Sequence, residues 1–427
     1  MLHDAGVALR PPSSTGSCGN GSAYSRSWDR DGGGYRTWHG NLGPVSGDRQ
    51  TRLLLTLMAT VAGTASARGQ KPQTPWTLEP RPAVVLGASE SDTAGTLEIV
   101  VSATRLPDGS ILVGDRGDFA LRRFGPAGKP VQSFARKGSG PGEVRYLGSM
   151  LRCGDSVYTY DIEEGHRMSV FTVTGRYVRT FRFRSPQAAQ TPYMTACNDS
   201  GDFVHLGWED RRDMRAGVFR PIVPVWLSRA DSTVGRVVDS VPGSERWGSV
   251  RDGRIRGTRP LPLGKQPVLG IGRSQVYVGS ADRFQIRALG FSGRVAAVLQ
   301  RPEPPVSVSK SDVRSEIERE IANRGEAARP GVERAYAEMV LPSTLPAYTS
   351  LIVDADDFVW VRPYPRGSAP SLRWSVFDSK GISVAEIDVP THLEVFEIGH
   401  DYVLGRYLDP LEAIPQVRLY RLGRSGR

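Results

Sequence analysis

A strand–turn–strand pattern recurs along this chain at about 45 residues per copy, and a repeated unit of that kind decides the fold class before any single strand is assigned. The clearest copy is Leu106-Pro107-Asp108-Gly109-Ser110-Ile111-Leu112-Val113-Gly114-Asp115, two apolar runs separated by a turn. It continues through Ala120–Phe124, a turn at Gly125–Gly128, and Val131–Phe134. A second copy runs Ser156–Asp161, Met168–Phe171, Gly175 and Val178–Phe181. Phe124 precedes Gly128 by the same spacing that separates Phe171 from Gly175, Leu289 from Gly293 and Phe377 from Gly381. Val276–Val278 and Val359–Val361 are the strands before the last two of these. Weaker copies lie at residues 192–243, with an enlarged internal loop, and at 391–424, which stops before a fourth strand. Ala83–Leu86 is free to supply that strand, so both ends of the chain would close one ring and leave no exposed sheet edge.

Four short strands per unit predict an all-β, six-bladed propeller over residues 80–424, five or seven blades being the nearest alternatives. Composition agrees: 48 Gly and 31 Pro in 427 residues suit many tight turns. LPDGSILVGD, the Phe–Gly spacing, the loop Gly138-Ser139-Gly140-Pro141-Gly142-Glu143, and Leu345–Tyr348 ahead of Val353–Trp360 together resemble NHL-type propellers. They resemble more closely the bacterial exported family named "6-bladed beta-propeller". The resemblance implies the propeller fold and an extracytoplasmic setting, and it brings no general activity with it.

Arg49 and Arg52 precede the apolar run Leu53–Gly63, which is followed by Ala65-Ser66-Ala67. A basic flank, an apolar run of about 11 residues and an A-x-A site form a secretory signal, predicting cleavage after Ala67 and a periplasmic or extracellular mature chain. The run is short for a membrane span, and without a lipobox cysteine no lipid anchor is expected. Residues 1–50 are polar and aperiodic. A leader that long suits no signal peptide, so the expected start is later, at Val45; if Met1 is the start, the segment is expected to be disordered.

The net charge is +10, yet only 6 of 55 basic residues are lysine, and the arginines are interspersed with 45 acids rather than run together. That pattern argues against a nucleic-acid partner. A monomer without a membrane span after cleavage is expected, binding an extracytoplasmic ligand or protein. Cys153 and Cys197 occupy matching contexts, Leu151–Asp155 and Thr195–Asp199; export permits a disulfide between them, and two buried thiols are the alternative.

In a propeller the loops after each second strand share one face with the connections between blades. Polar residues gather in those loops: Asp115, Arg116 and Asp118; Asp161, Glu163, Glu164, His166 and Arg167; His205, Trp208, Glu209 and Asp210; Asp282 and Arg283; Arg362 and Arg366; and Arg406. The arginines would suit carboxylates or acidic sugars, and solvated turns would show the same polarity. Residues 306–346 form an insertion. Ser309 with Asp312 reads as a capping box, and Val313, Ile317 and Ile321 recur at helical spacing. Val332, Ala335, Tyr336 and Met339 suggest a second helix. The hairpin would be a lid or docking arm, or a cap packed on the ring.

No phosphate loop, zinc spacing or G-x-S-x-G elbow is present. Three function classes follow: a module without a cofactor that binds a ligand, glycan or protein through its loop-rich face; a calcium-dependent lactonase- or lyase-like hydrolase with its site in the central funnel and Asp115, Asp161 and Glu209 as first ligands; and a structural or sensory domain docked to a cell-surface partner through residues 306–346.

Overall fold

The computed structural model describes residues 76–87, 95–163, 167–182, 193–207, 214–229, 235–251, 253–367, 369–408 and 414–424. Six antiparallel sheets follow one another along the chain. Blade 1 is Val100–Arg105, Ile111–Asp115, Ala120–Phe124 and Pro130–Phe134. Blade 2 is Leu147–Cys153, Ser156–Asp161, Arg167–Thr172 and Tyr177–Phe181. Blade 3 is Tyr193–Cys197, Asp202–Leu206, Ile222–Arg229 and Arg236–Pro242, and blade 4 is Val268–Ile271, Gln275–Gly279, Gln285–Gly290 and Val295–Gln300. Blade 5 is Tyr348–Val353, Val359–Pro363, Ser371–Phe377 and Ser383–Pro390. Blade 6 is Leu393–Ile398, Tyr402–Leu408 and Pro415–Gly423.

The missing outer strand of blade 6 comes from the beginning of the described chain, where Val84–Leu86 and Thr77–Leu78 both pair with Pro415–Gly423. The first strands touch in cyclic order, blade 6 returning to blade 1. Apolar clusters repeat the same cycle: Leu86, Val100, Val113 and Leu404 join blades 6 and 1, and Leu112, Leu147 and Phe171 join blades 1 and 2. Tyr158 and Phe203 join blades 2 and 3, and Val225, Leu269 and Val278 join 3 and 4. Tyr277, Leu351 and Phe377 join 4 and 5, and Trp360, Trp374 and Tyr420 join 5 and 6. The core is therefore a set of joints between blades, each burying one sheet face against the next.

The glycine spacing seen in the sequence has a physical cause. Gly293 and Gly381 turn from third to fourth strand at φ of 88° and 84°. A Cβ on either would lie 2.7 Å from a carbonyl of the preceding blade's outer strand, Val238 O and Val298 O respectively. Left-handed backbone and close approach both demand glycine.

The enlarged loop of blade 3 and two connections between blades build a lobe that the repeat pattern did not announce. Gly217–Phe219, Arg246–Arg251 and Arg254–Pro260 form a three-stranded sheet. Residues 306–346 supply α1 (Lys310–Arg324) and α2 (Arg329–Glu338). α1 begins with the Ser309–Asp312 capping box in both directions. Ile321, Val332, Tyr336 and Met339 pack with Leu261 and Trp247, so the helices cover the hairpin of that sheet, and Arg259 donates to Ala335 O at 3.3 Å. Cys153 and Cys197 are joined in a disulfide, Cα atoms 5.8 Å apart, tying the first strands of blades 2 and 3.

Candidate functional site

The charged residues at the ends of the second strands are occupied in holding backbone. Asp115 is fully buried and accepts from Glu98 N at 3.1 Å, Ile99 N at 2.9 Å and Gly117 N at 3.1 Å, with Arg122 3.6 Å away. Asp161 does the same one blade later, accepting from Arg145 N at 2.6 Å and Tyr146 N at 3.2 Å. Its ion-pair partner Arg167, at 3.4 Å, donates to Ser139 O at 2.7 Å and Glu143 O at 2.6 Å. The Gly-rich loop between blades 1 and 2 is thus clamped by blade 2's own arginine. Within it Glu143 accepts from Gly140 N at 2.9 Å and pairs with Arg136, both of which hold its carboxyl below the usual range.

Arg116 donates to Tyr146 Oη at 2.8 Å, Arg362 to Thr391 O at 3.4 Å, and Arg406 to Val100 O at 2.7 Å across the ring closure. Asp118 pairs with Arg122 and Asp282 with Arg220. Glu163, Arg283 and Arg366 are exposed. His205 is buried with Nε2 2.5 Å from Ser228 Oγ, and burial pushes its pKa down to about 3, so it stays neutral inside blade 3. Glu164, His166, Trp208, Glu209 and Asp210 lie outside the described residues.

None of the described residues in that set lines the central cavity. The cavity has a volume of about 990 Å³ and is walled by the first strands of all six blades. Its lining is richest where first strands turn into second strands, at Leu106–Pro107, Asn198–Ser200, Gly272–Arg273, Asp354–Ala355 and Gly399–Asp401. That is the opposite end of the ring from the loops singled out in the sequence. An antiparallel meander puts alternate connections at alternate ends, so the two sets cannot share a face.

One sector of the wall is polar and interconnected. Arg152 of blade 2 donates from Nε to Thr104 Oγ1 of blade 1 at 3.0 Å and from Nη1 to Gly154 O at 3.1 Å. Its Nη2 lies 3.8 Å from Glu397 Oε1 of blade 6. Tyr402 Oη donates to the same Glu397 oxygen. Arg105 lies over the Tyr402 ring, 4.9 Å from its centroid, and pairs with the exposed Asp401 at 3.1 Å. Burial pushes the Glu397 carboxyl up, against the opposing pull of Arg152; burial first, and then the Glu397 charge, push the Tyr402 hydroxyl up. Perturbed groups of this kind in a cavity mark a functional candidate.

The rim next to this sector is a clasp. Arg424, 7 % exposed, donates to Asp354 at 2.8 Å, Asp356 at 2.7 Å and Gly399 O at 2.7 Å. It also lies 4.8 Å from the ring centroid of Trp76. Trp360 Nε1 donates to Asp354 at 2.7 Å, and burial raises that carboxyl's pKa against Arg424's pull.

Sequence reasoning passed over Arg152, Glu397 and Tyr402. Arg152 stood in view only as the neighbour of Cys153, and Glu397 directly follows the Leu393–Phe396 run taken as a strand. The available signal was an ionisable residue inside a first strand, where the side chain faces the channel rather than solvent. Among the described residues no group of three or more His, Cys, Asp or Glu side chains comes together as a metal could use. Among them, too, no helix is long and apolar enough to cross a membrane.

No protein-family model matches the chain, and no curated protein matches it in sequence. Solved structures do. A member of the DUF4221 family from Bacteroides vulgatus is 8% identical over 83% of this chain and 100% of its own, with a TM-score of 0.46. A gluconolactonase from Xanthomonas campestris is 10% identical over 83% of this chain and 99% of its own, TM-score 0.41. Virginiamycin B lyase from Staphylococcus aureus is 10% identical over 81% and 99%, TM-score 0.35. Likenesses this distant say nothing of what the present chain binds.

Proposed function

We propose that this protein is an exported, six-bladed propeller that binds a small molecule in its central cavity and does not turn it over. The observation that carries the reading is the cavity of about 990 Å³ with its connected polar sector, Thr104, Arg152, Glu397 and Tyr402, in a wall that mixes polar and apolar residues. Pockets that hold small ligands have this size, with placed polar groups that orient the ligand. The seat of binding in this reading is the channel, not the loop end of the ring. Export is supported by the secretory pattern at residues 49–67 and by the Cys153–Cys197 disulfide, which suits an oxidising compartment. Sequencing the N-terminus of protein recovered from the periplasm or medium should read Arg68 first; recovery in the cytoplasm with the leader intact would end the export reading.

The calcium-dependent hydrolase has less to stand on. Both oxygens of Asp115 and of Asp161 already accept backbone N–H groups in their own blades. The test of the binding reading is a thermal-shift screen of mature protein against a library of metabolites and short glycans, run beside a Ser102→Trp, Ser350→Trp double variant that obstructs the channel. Ligands that raise the melting temperature of the parent and not of the obstructed variant support the reading. Equal shifts in both place binding outside the channel and overturn it.

A further inference from the structure

The polar sector is rich in unmatched donors. A guanidinium has five N–H donors and no acceptor. Arg152 uses Nε on Thr104 Oγ1 and Nη1 on Gly154 O, both neutral acceptors, and its approach to Glu397 at 3.8 Å is too long for a hydrogen bond. Arg105 uses one Nη1 contact on Asp401, a carboxylate 73 % exposed and so a weak counter-charge. Arg273, across the cavity on blade 4, donates to Ala355 O at 2.8 Å. The lining acids differ, because each already has an internal donor on at least one oxygen. Asp357 accepts from Arg273 N at 3.0 Å, Asp199 from Gly154 N at 3.2 Å, Asp354 from Trp360 and Arg424, and Glu397 from Tyr402.

A wall with spare N–H groups and occupied carboxylates lacks one thing, an acceptor-only group carrying negative charge. We infer that the cavity's ligand is a small organic oxyanion, a carboxylate or a phosphate monoester, whose charged head docks on Arg152 and Arg105 beside Glu397. The inference rests on the cavity reading above and adds the chemical class. Charge-assisted bonds from planar guanidinium groups to an oxyanion are the strong ones, and they supply direction as well as energy. Glu397 belongs to the same device. Burial raises its pKa against the pull of Arg152, whose guanidinium lies 3.8 Å away. The charged and titratable groups facing Glu397 are Arg152 from blade 2 and Tyr402 from blade 6, and Thr104 and the Arg105 backbone of blade 1 also bond its carboxyl. Ionised Glu397 would repel the incoming head, so binding weakens as pH rises through its titration.

The experiment uses two scaffolds, each with a neutral and an anionic form: glucose against glucuronate and glucose 6-phosphate, and benzamide against benzoate and phenyl phosphate. Affinities are measured by calorimetry on mature protein, its Arg152→Leu and Glu397→Gln variants, and the channel-obstructed Ser102→Trp, Ser350→Trp double variant. The expected result is a preference for an anionic form on at least one scaffold, weakened about 10- to 100-fold by Arg152→Leu. Glu397→Gln should flatten the pH dependence of that preference. Which head binds better separates carboxylate from phosphate. Equal affinity for neutral and anionic forms, no binding of any anion, or a preference that survives Arg152→Leu in a folded protein overturns the oxyanion assignment. In the last case, loss of binding in the obstructed variant leaves the cavity reading standing; retention in it sinks that reading instead. Circular dichroism confirms that each variant compared is folded.

Discussion

At the end of the ring where second strands run into third strands, Asp115, Asp161 and Arg167 are buried against backbone. At the other end ionisable side chains face a cavity. Asp115 and Asp161 sit at equivalent places in blades 1 and 2 and make equivalent bonds, each carboxylate gripping the two N–H groups just before its blade's first strand. Arg406 bonds Val100 O across the ring closure. Arg152 and Glu397, by contrast, come from first strands of blades that are not sequence neighbours, and approach only to 3.8 Å. Residues of the same chemical kind thus do different work: at the loop end they bind backbone carbonyls and N–H groups and build the ring, and in the cavity they border open space that a ligand can enter.

The comparison breaks first at Asp161. Asp161→Ala leaves Arg167, 7 % exposed, without its carboxylate and frees Arg145 N and Tyr146 N, which should cost about 3–5 kcal/mol in urea unfolding. A cost under about 1 kcal/mol would mean that the loop end is not structural. Next comes the disulfide, which closes a loop with a sequence separation of 44. The Cys153→Ser, Cys197→Ser double variant should lose about 2–4 kcal/mol, and the same loss should follow reduction of the parent. Gly293→Ala meets Val238 O at 2.7 Å with φ at 88°, and about 1–3 kcal/mol is expected; an unchanged midpoint would show that the joint between blades 3 and 4 yields.

Glu397→Gln should act in the opposite direction. Burial raises the Glu397 pKa in the folded state. The stability it contributes is therefore fully present below the unfolded value of about 4.3 and is lost as pH rises through the folded value. The glutamine variant lacks that loss, so it should gain on the parent as pH rises, read from urea midpoints across pH 4–9. A gap that shrinks with rising pH would mean that Arg152 outweighs burial. The smallest expected effect is that of EDTA, which should leave the melting temperature of mature protein unchanged. A fall on chelation, reversed by calcium, would restore the hydrolase reading and return attention to the loop end.

Much of the fold was legible because a blade is a local object. The Phe-to-Gly spacing, the Ser309–Asp312 box and the free strand at Val84–Leu86 each depend on neighbours close in sequence or on a counting argument about edges. The lobe was not legible. Arg246–Arg251 and Arg254–Pro260 flank Asp252-Gly253, a hairpin signal, but arginine-rich strands show no apolar alternation, and their partners Tyr336 and Met339 lie far along the chain.

The sequence by itself determined the repeat, the strand borrowed from the N-terminal side to close it, and the secretory pattern, since each is written in short-range spacing. Only the tertiary structure decided which polar residues work together. Asp115 and Glu397 are both acids in β-strands, and nothing local distinguishes the one that grips backbone from the one that meets Arg152. That distinction arises when the ring closes and sets blade 6 beside blade 1 and near blade 2, a long-range event whose contacts no window of sequence contains.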